Sequence, residues 1–518
     1  MQKQCWLLVV SVTASFFLCA DAAAIDSASP ARPNSENKKQ QLYTCVMHPE
    51  IVRTEPGQCP KCGMTLVLLK KDGEHRTPST EHSTSNPAAS SHSSHLSHAT
   101  HNADGMAMPE SDHTDHEMKM RSSISIADPM NREGSGTSWI PDSSPMYGYM
   151  KMFDDDTLML HGAIFPRYTN VSSDRGDDRI DSPNWIMAMY SHPFSDTTQL
   201  GLRAMMSLDP LTEGGRGYPL LLQSGESWHD KPLHDRQHPH DLFDELSFSL
   251  SQKFDHDLSV YIYFGYPGEP AVGPPTFMHR PSAMDDPDAP IGHHWQDSTH
   301  VTFGVATAGI QWRTVKVEGS VFTGREPDED RYDFDRPRFD SFSGRISWNP
   351  TPELALQFSH AYIESPEALE PELNRHRTTA SVIYNKRLGP DSNWASSLVW
   401  GQNDDTHEGK TESVLIETDY QRERDTIYGR FEWVQKSGNE LVLAPRDLDE
   451  IFDVTAVSFG YVRDLSHGNA IDVGLGGQIT LDFWPGELDR YYGGGPGYGF
   501  QVFLRLRPSQ HSHESAMK

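Results

Sequence analysis

The sequence predicts an all-β fold, a transmembrane outer-membrane β-barrel of about 16 antiparallel strands. A small Cys/His module and a disordered His/Met-rich linker precede it. Three observations carry this reading. Period-two alternation recurs from residue 146 onward: Leu258, Val260, Ile262 and Phe264 against Ser259, Tyr261 and Tyr263, and Phe500, Val502, Leu504 and Leu506 against Gln501, Phe503, Arg505 and Arg507. Many such segments run about nine to twelve residues, the length a tilted strand needs to cross a bilayer. Tyr491-Tyr492, Trp394 and Trp484 sit near expected strand ends, as interfacial girdle residues do. A tight turn is expected at Asn349-Pro-Thr-Pro352 and a long loop over residues 266–299. Alternation alone also fits a soluble β-sandwich, with the apolar face turned inward. A soluble periplasmic metal-binding or redox protein is therefore the alternative, and a general porin a third.

In chain order, residues 1–24 read as a signal peptide: Lys3, an apolar run over residues 6–18, then small residues up to Ala24. Residues 25–41 form a polar spacer, 42–70 the Cys/His module and 71–145 a linker too poor in bulky aliphatics to bury a core. The barrel spans 146–507, and a polar tail covers 508–518. The formal net charge of −29 argues against nucleic acid and suits a protein that meets cations. Cys5 and Cys19 lie in the leader, so Cys45, Cys59 and Cys62 remain. Three thiols are no disulfide framework.

The module carries the sharpest chemistry. Cys59-x-x-Cys62 points two sulfurs at one place, and Cys45 and His48 stand three apart on the opposing arm. Met47 and Met64 add thioethers, which favour copper or silver over zinc. A purely structural zinc site is the plainer reading. Tyr43-Thr-Cys45-Val-Met47-His48-Pro49 followed by Pro56-Gly-Gln-Cys59-Pro60-Lys-Cys62-Gly63-Met64 resembles the heavy-metal-binding domain family. That module is appended to copper-transporting P-type ATPases and to periplasmic adaptors of metal efflux pumps. Val46 departs from the proline usual there. The resemblance implies metal binding, not transport by this chain.

His75, His82, His92, His95, His98, His101, His113 and His116, with Met106, Met108, Met118 and Met120, suit a multidentate metal-collecting tether, and a plain linker of biased composition is the alternative. Its composition is similar to the Met/His-rich leader of copper-resistance outer-membrane proteins. Within the barrel, His229, His234, His238 and His240 fall on one long connection, and His279, His293, His294 and His300 on another. Loops of this length are usually functional. If both fold into the lumen, these imidazoles form a constriction or a second metal site. Hydrogen-bonded histidines that merely fix loop shape are the alternative. The phrases at 234–241 and 277–304 resemble a group of bacterial barrel-like proteins with no assigned activity. No catalytic constellation is found, so no enzymatic activity is expected. The expected partners are metal ions (copper, silver or zinc), outer-membrane lipid and metal-efflux components, with the module in the periplasm.

Overall fold

The computed structural model describes residues 120–406, 409–466 and 470–510, together with three short strands nearer the N-terminus. Those three, Tyr43–Thr44, Val52–Arg53 and Val67–Leu68, form a small antiparallel sheet with Tyr43–Thr44 at its centre. The module's candidate ligands Cys45, Met47, His48, Cys59, Cys62 and Met64 lie outside the described residues, as do the leader, the spacer and most of the linker.

The remaining strands close into one antiparallel ring. Closure pairs the last strand, Gly497–Pro508, with the first, Tyr498 facing Ser172 and Phe503 facing Arg167. The first two strands are each interrupted at a proline, Phe165–Pro166 and Ser182–Pro183, because proline lacks the N–H a ladder needs. Counting each interrupted strand once, sixteen strands form the ring among the described residues. Strand Tyr149–Phe153 pairs with the start of the first strand, the stretch that the closing strand leaves uncovered.

Side-chain orientation separates membrane barrel from sandwich. On Leu258–Gly265, Ile262 and Phe264 are exposed while Ser259, Tyr261 and Tyr263 are buried. On the closing strand, Phe500, Val502 and Leu504 are exposed while Gln501, Arg505 and Arg507 are buried. Apolar side chains therefore face outward all along a closed ring, the inversion that lipid demands. The stacked β-sandwich alternative is thereby excluded. Exposed aromatics ring both ends: Trp312, Trp348, Tyr420 and Tyr461 near one, and Phe342, Phe483 and Tyr498 near the other.

Two girdle expectations need correcting. Tyr492 is buried with Leu488 and Trp295, and Trp484 and Tyr491 pack against that cluster. They belong to the 484–496 connection, which folds over one mouth of the barrel, so they meet protein instead of the interface. The turn after Ser341–Thr351 is Pro352–Glu353, slightly beyond its expected place.

The two ends of the barrel differ. Connections at one end, such as 313–314, 352–353 and 390–391, are two to four residues long. Those at the other include 207–242, 266–304 and 323–340. The long loop runs to residue 304 and folds into the lumen, where Ala271, Ile291 and Trp295 are almost fully buried. Residues 120–145, expected to be disordered linker, also fill the lumen. They cannot build a core alone, but the polar barrel wall supplies their partners. Arg345 donates to Thr137 Oγ1 (2.9 Å) and Gln311 to Asp128 (2.8 Å), while within the segment Trp139 Nε1 donates to Asp128 (2.9 Å). This segment touches the short-turn end twice. Gln199 donates to the Ser122 carbonyl (2.7 Å), and Ser143 N donates to the Pro352 carbonyl (2.9 Å).

Candidate metal site in the barrel lumen

Two distant connections bring the site together. His238 comes from the stretch between Pro232–Gln237 and the strand Phe243–Lys253. His293 and His294 open a single helical turn, His293–Gln296, within the long inserted loop. Wall strands fix that turn. Arg377 donates to the His294 carbonyl at 2.6 Å and Asn403 to the same oxygen at 3.0 Å. Trp295 Nε1 donates to Thr411 Oγ1 at 2.8 Å. Arg280 pairs with Asp297 and Glu417, each at 2.6 Å, tying the loop to the wall.

The rings of His238, His293 and His294 are buried, with centroids 5.2–6.2 Å apart. One ligand nitrogen from each lies within 4.8 Å of the others, close enough to converge on one ion. Hydrogen bonding leaves the right atoms available. His293 Nδ1 donates to Asp297 at 2.5 Å, and its Nε2 is buried with no hydrogen-bond partner. His294 Nε2 is likewise unpartnered. His238 Nδ1 faces the Pro239 carbonyl (3.2 Å) and Glu226 (3.1 Å). A carboxylate behind an imidazole fixes the tautomer and raises its donor strength. Burial depresses His294 to about 4 and holds His238 well below its usual range, so both rings are neutral, as metal ligands must be. Gly225 makes room: with φ +111° and no side chain, it leaves space for the His294 ring, whose Nε2 would lie 2.3 Å from an added Cβ.

His294 also lines a cavity of about 650 Å³. Nine carboxylates line the same cavity, among them Glu226, Glu326, Glu329, Asp330 and Glu367, against two arginines, Arg331 and Arg375. Its walls come from the long connections, so it lies at the long-loop end of the barrel. An excess of carboxylates in a cleft concentrates cations there.

The eight histidines singled out in the sequence thus divide. His238, His293 and His294 converge, with His240 and His300 against them. His279 stands apart, 4.6 Å from the Trp185 ring and 5.7 Å from His161. His229 is exposed with its ring 4.4 Å from that of Trp228, and His234 is held by Asp235 at 2.7 Å. Neither joins the cluster. Sequence reading missed the vestibule carboxylates, although the run Glu326-Pro-Asp-Glu-Asp330 was a visible signal.

A closed ring with an apolar outer belt, polar inward faces and a plugged lumen defines a transmembrane β-barrel of outer-membrane type. It carries a heavy metal binding domain, for residues 42–67 match the family of that description. A copper-transporting P-type ATPase of Rhizobium leguminosarum bv. viciae is 68% identical over 28 residues, which are 5% of this chain and 3% of the ATPase. The chain thus spans only a small part of that curated relative. Among solved structures, a loop-deleted OmpT from Vibrio cholerae is 8% identical with a TM-score of 0.41, covering 68% of this chain and all of the other. Salmonella typhi OmpF complexed with daunomycin is 8% identical (TM-score 0.43; 69% and 100% covered). An anion-selective porin from Comamonas acidovorans is 12% identical (TM-score 0.37; 68% and 99% covered).

Proposed function

We propose that this protein handles soft and borderline metal ions at the outer membrane, in resistance, efflux or regulated passage. Cations gather in the acidic vestibule and bind His238, His293 and His294. The N-terminal module binds a second ion through Cys45, His48, Cys59 and Cys62, with Met47 and Met64 beside them. Short turns face the periplasm in barrels of this type, and Ser122 and Ser143 contact that end. This supports a periplasmic module, facing whatever efflux component supplies or receives the metal. The copper named for the ATPase relative supports copper as the module's ion. Imidazole also suits zinc, and thiolate and thioether suit silver.

One observation carries the reading: three buried imidazoles have converging, partly unpartnered nitrogens, and one of them, His294, lines an acidic cavity. The filled lumen argues against free diffusion, so an ion would pass by exchange between ligands. The test is metal binding by the full chain purified from outer membrane. His238→Ala with His294→Ala should remove one equivalent of Zn(II), and Cys59→Ser with Cys62→Ser one of Cu(I). Unchanged stoichiometry in either pair sinks the corresponding site.

A further inference from the structure

Toward the short-turn end of the lumen lies a cavity of about 140 Å³ whose walls are built of methionine. Seven of the chain's 19 methionines line it. Met159 and Met189 face each other across two paired strands, and Met187 stands two residues along on the same inward face. Met130 and Met146 come from the inserted N-terminal segment and Met278 from the long loop. Met120, the last methionine of the tether, packs against this cluster.

Methionine is often an adaptable filler of irregular cores. A filler closes space, whereas this cavity exceeds the roughly 30 Å³ share of a water several times over. A second observation points to a ligand. His161 stands on the same wall, and its Nε2 is buried with no hydrogen-bond partner. Leaving such a nitrogen unsatisfied is costly. Beside it lies the Trp185 ring, 5.1 Å from His161 and 4.6 Å from His279, an aromatic face of the kind that attracts cations. The carboxylates at the rim are already engaged: Glu133 by Arg203, Asp209 by His240 and Asp286 by Arg430. The donors left are neutral, chiefly thioether sulfur, the imidazoles of His161 and His279 and a π-face. Such a set suits a monovalent d¹⁰ ion and is poor for hard divalent ones.

We infer that this cavity is a binding site for Cu(I) or Ag(I), with Met159, Met187, Met189 and His161 as ligands. It is distinct from the histidine site in donors and in preferred ion. His240 lines the cavity and also contacts the histidine cluster, so the two sites adjoin.

The test uses the full chain in detergent with Cys45, Cys59 and Cys62 changed to serine, titrated with Ag(I) against a chromophoric chelator. Changing Met159, Met187 and Met189 to leucine conserves volume. It should weaken Ag(I) binding by about tenfold or more, as disturbing a metal's immediate surroundings does, and leave Zn(II) affinity at the histidine site unchanged. Equal Ag(I) affinity in a variant that keeps heat-modifiable gel mobility overturns the proposal, as does a matching loss of Zn(II). Should the triple variant fail to fold, methyl-¹³C-methionine NMR of the parent decides, with Met187→Leu assigning one resonance. Ag(I) should shift the Met187 methyl; an unmoved resonance overturns the site. Because the probe ions differ, failure here and failure of the histidine site are separable.

Discussion

The Nε2 atoms of His240 and His300 lie 3.1 Å apart in the lumen. The proton positions follow from their other contacts. His300 Nδ1 lies 2.9 Å from the Asp297 carbonyl, which only accepts, so that nitrogen carries hydrogen. Burial keeps His300 neutral, so its Nε2 is an acceptor. His240 Nε2 must then donate. Its Nδ1 also donates, to Asp209 at 2.8 Å. His240 therefore holds both protons. Burial alone would depress it, but Asp209 and Asp244 raise it to about 9. An imidazolium cannot ligate metal, which leaves the site to His238, His293 and His294.

Asp297 orients His293 from 2.5 Å. Burial opposes its ionisation, yet His293 and Arg280 hold it well below the usual carboxylate range. Asp297→Asn should lower Zn(II) affinity by about 10- to 100-fold. Arg280 keeps Glu417, so the barrel should stay folded. Competition titration of the full chain measures the affinity. Reduced stability at unchanged affinity would mean that Asp297 serves the fold alone.

Gly225→Ala should also weaken Zn(II), because the new Cβ falls 2.3 Å from His294 Nε2. Overpacking of this kind costs about 1–3 kcal/mol, and the positive φ adds strain. Gel mobility reports the barrel and titration reports the site. Wild-type affinity in the alanine variant would show that the ring has room to retreat.

Glu269, in the long luminal loop, is raised by burial to about 7, although Arg345 pulls it down. The folded state thus holds its proton more tightly than the unfolded chain. Its contribution to stability is complete below the ordinary 4.5, and it is lost as pH rises toward 7. Glu269→Gln should flatten that part of the pH profile. Urea unfolding in detergent between pH 4 and 8 measures it, and parallel profiles for the two proteins would remove Glu269 as the cause.

Much of this was legible in the chain. The alternation at Leu258–Phe264 and Phe500–Arg507 fixed both strands and their faces, because side-chain direction along a strand has a strict period of two. Residues 120–145 were misread for a physical reason. Ser122, Asp128, Arg132 and Thr137 look like solvated linker, yet Arg132 pairs with Asp128 and Asp142 inside the segment and the barrel wall holds Thr137 and Asp128 through Arg345 and Gln311. The methionine wall escaped notice because alternating Met187 and Met189 read as ordinary strand apolars.

By itself, the sequence determined strands whose polar and apolar residues alternate, and a Cys/His motif that matches a heavy metal binding domain. Both follow from local spacing. Only the tertiary structure decided which histidines meet, for His238 and His294 are 56 residues apart and converge because Arg280, Arg377 and Asn403 pin an inserted loop to the wall. Contacts between remote segments depend on where the chain returns, and no local periodicity encodes that.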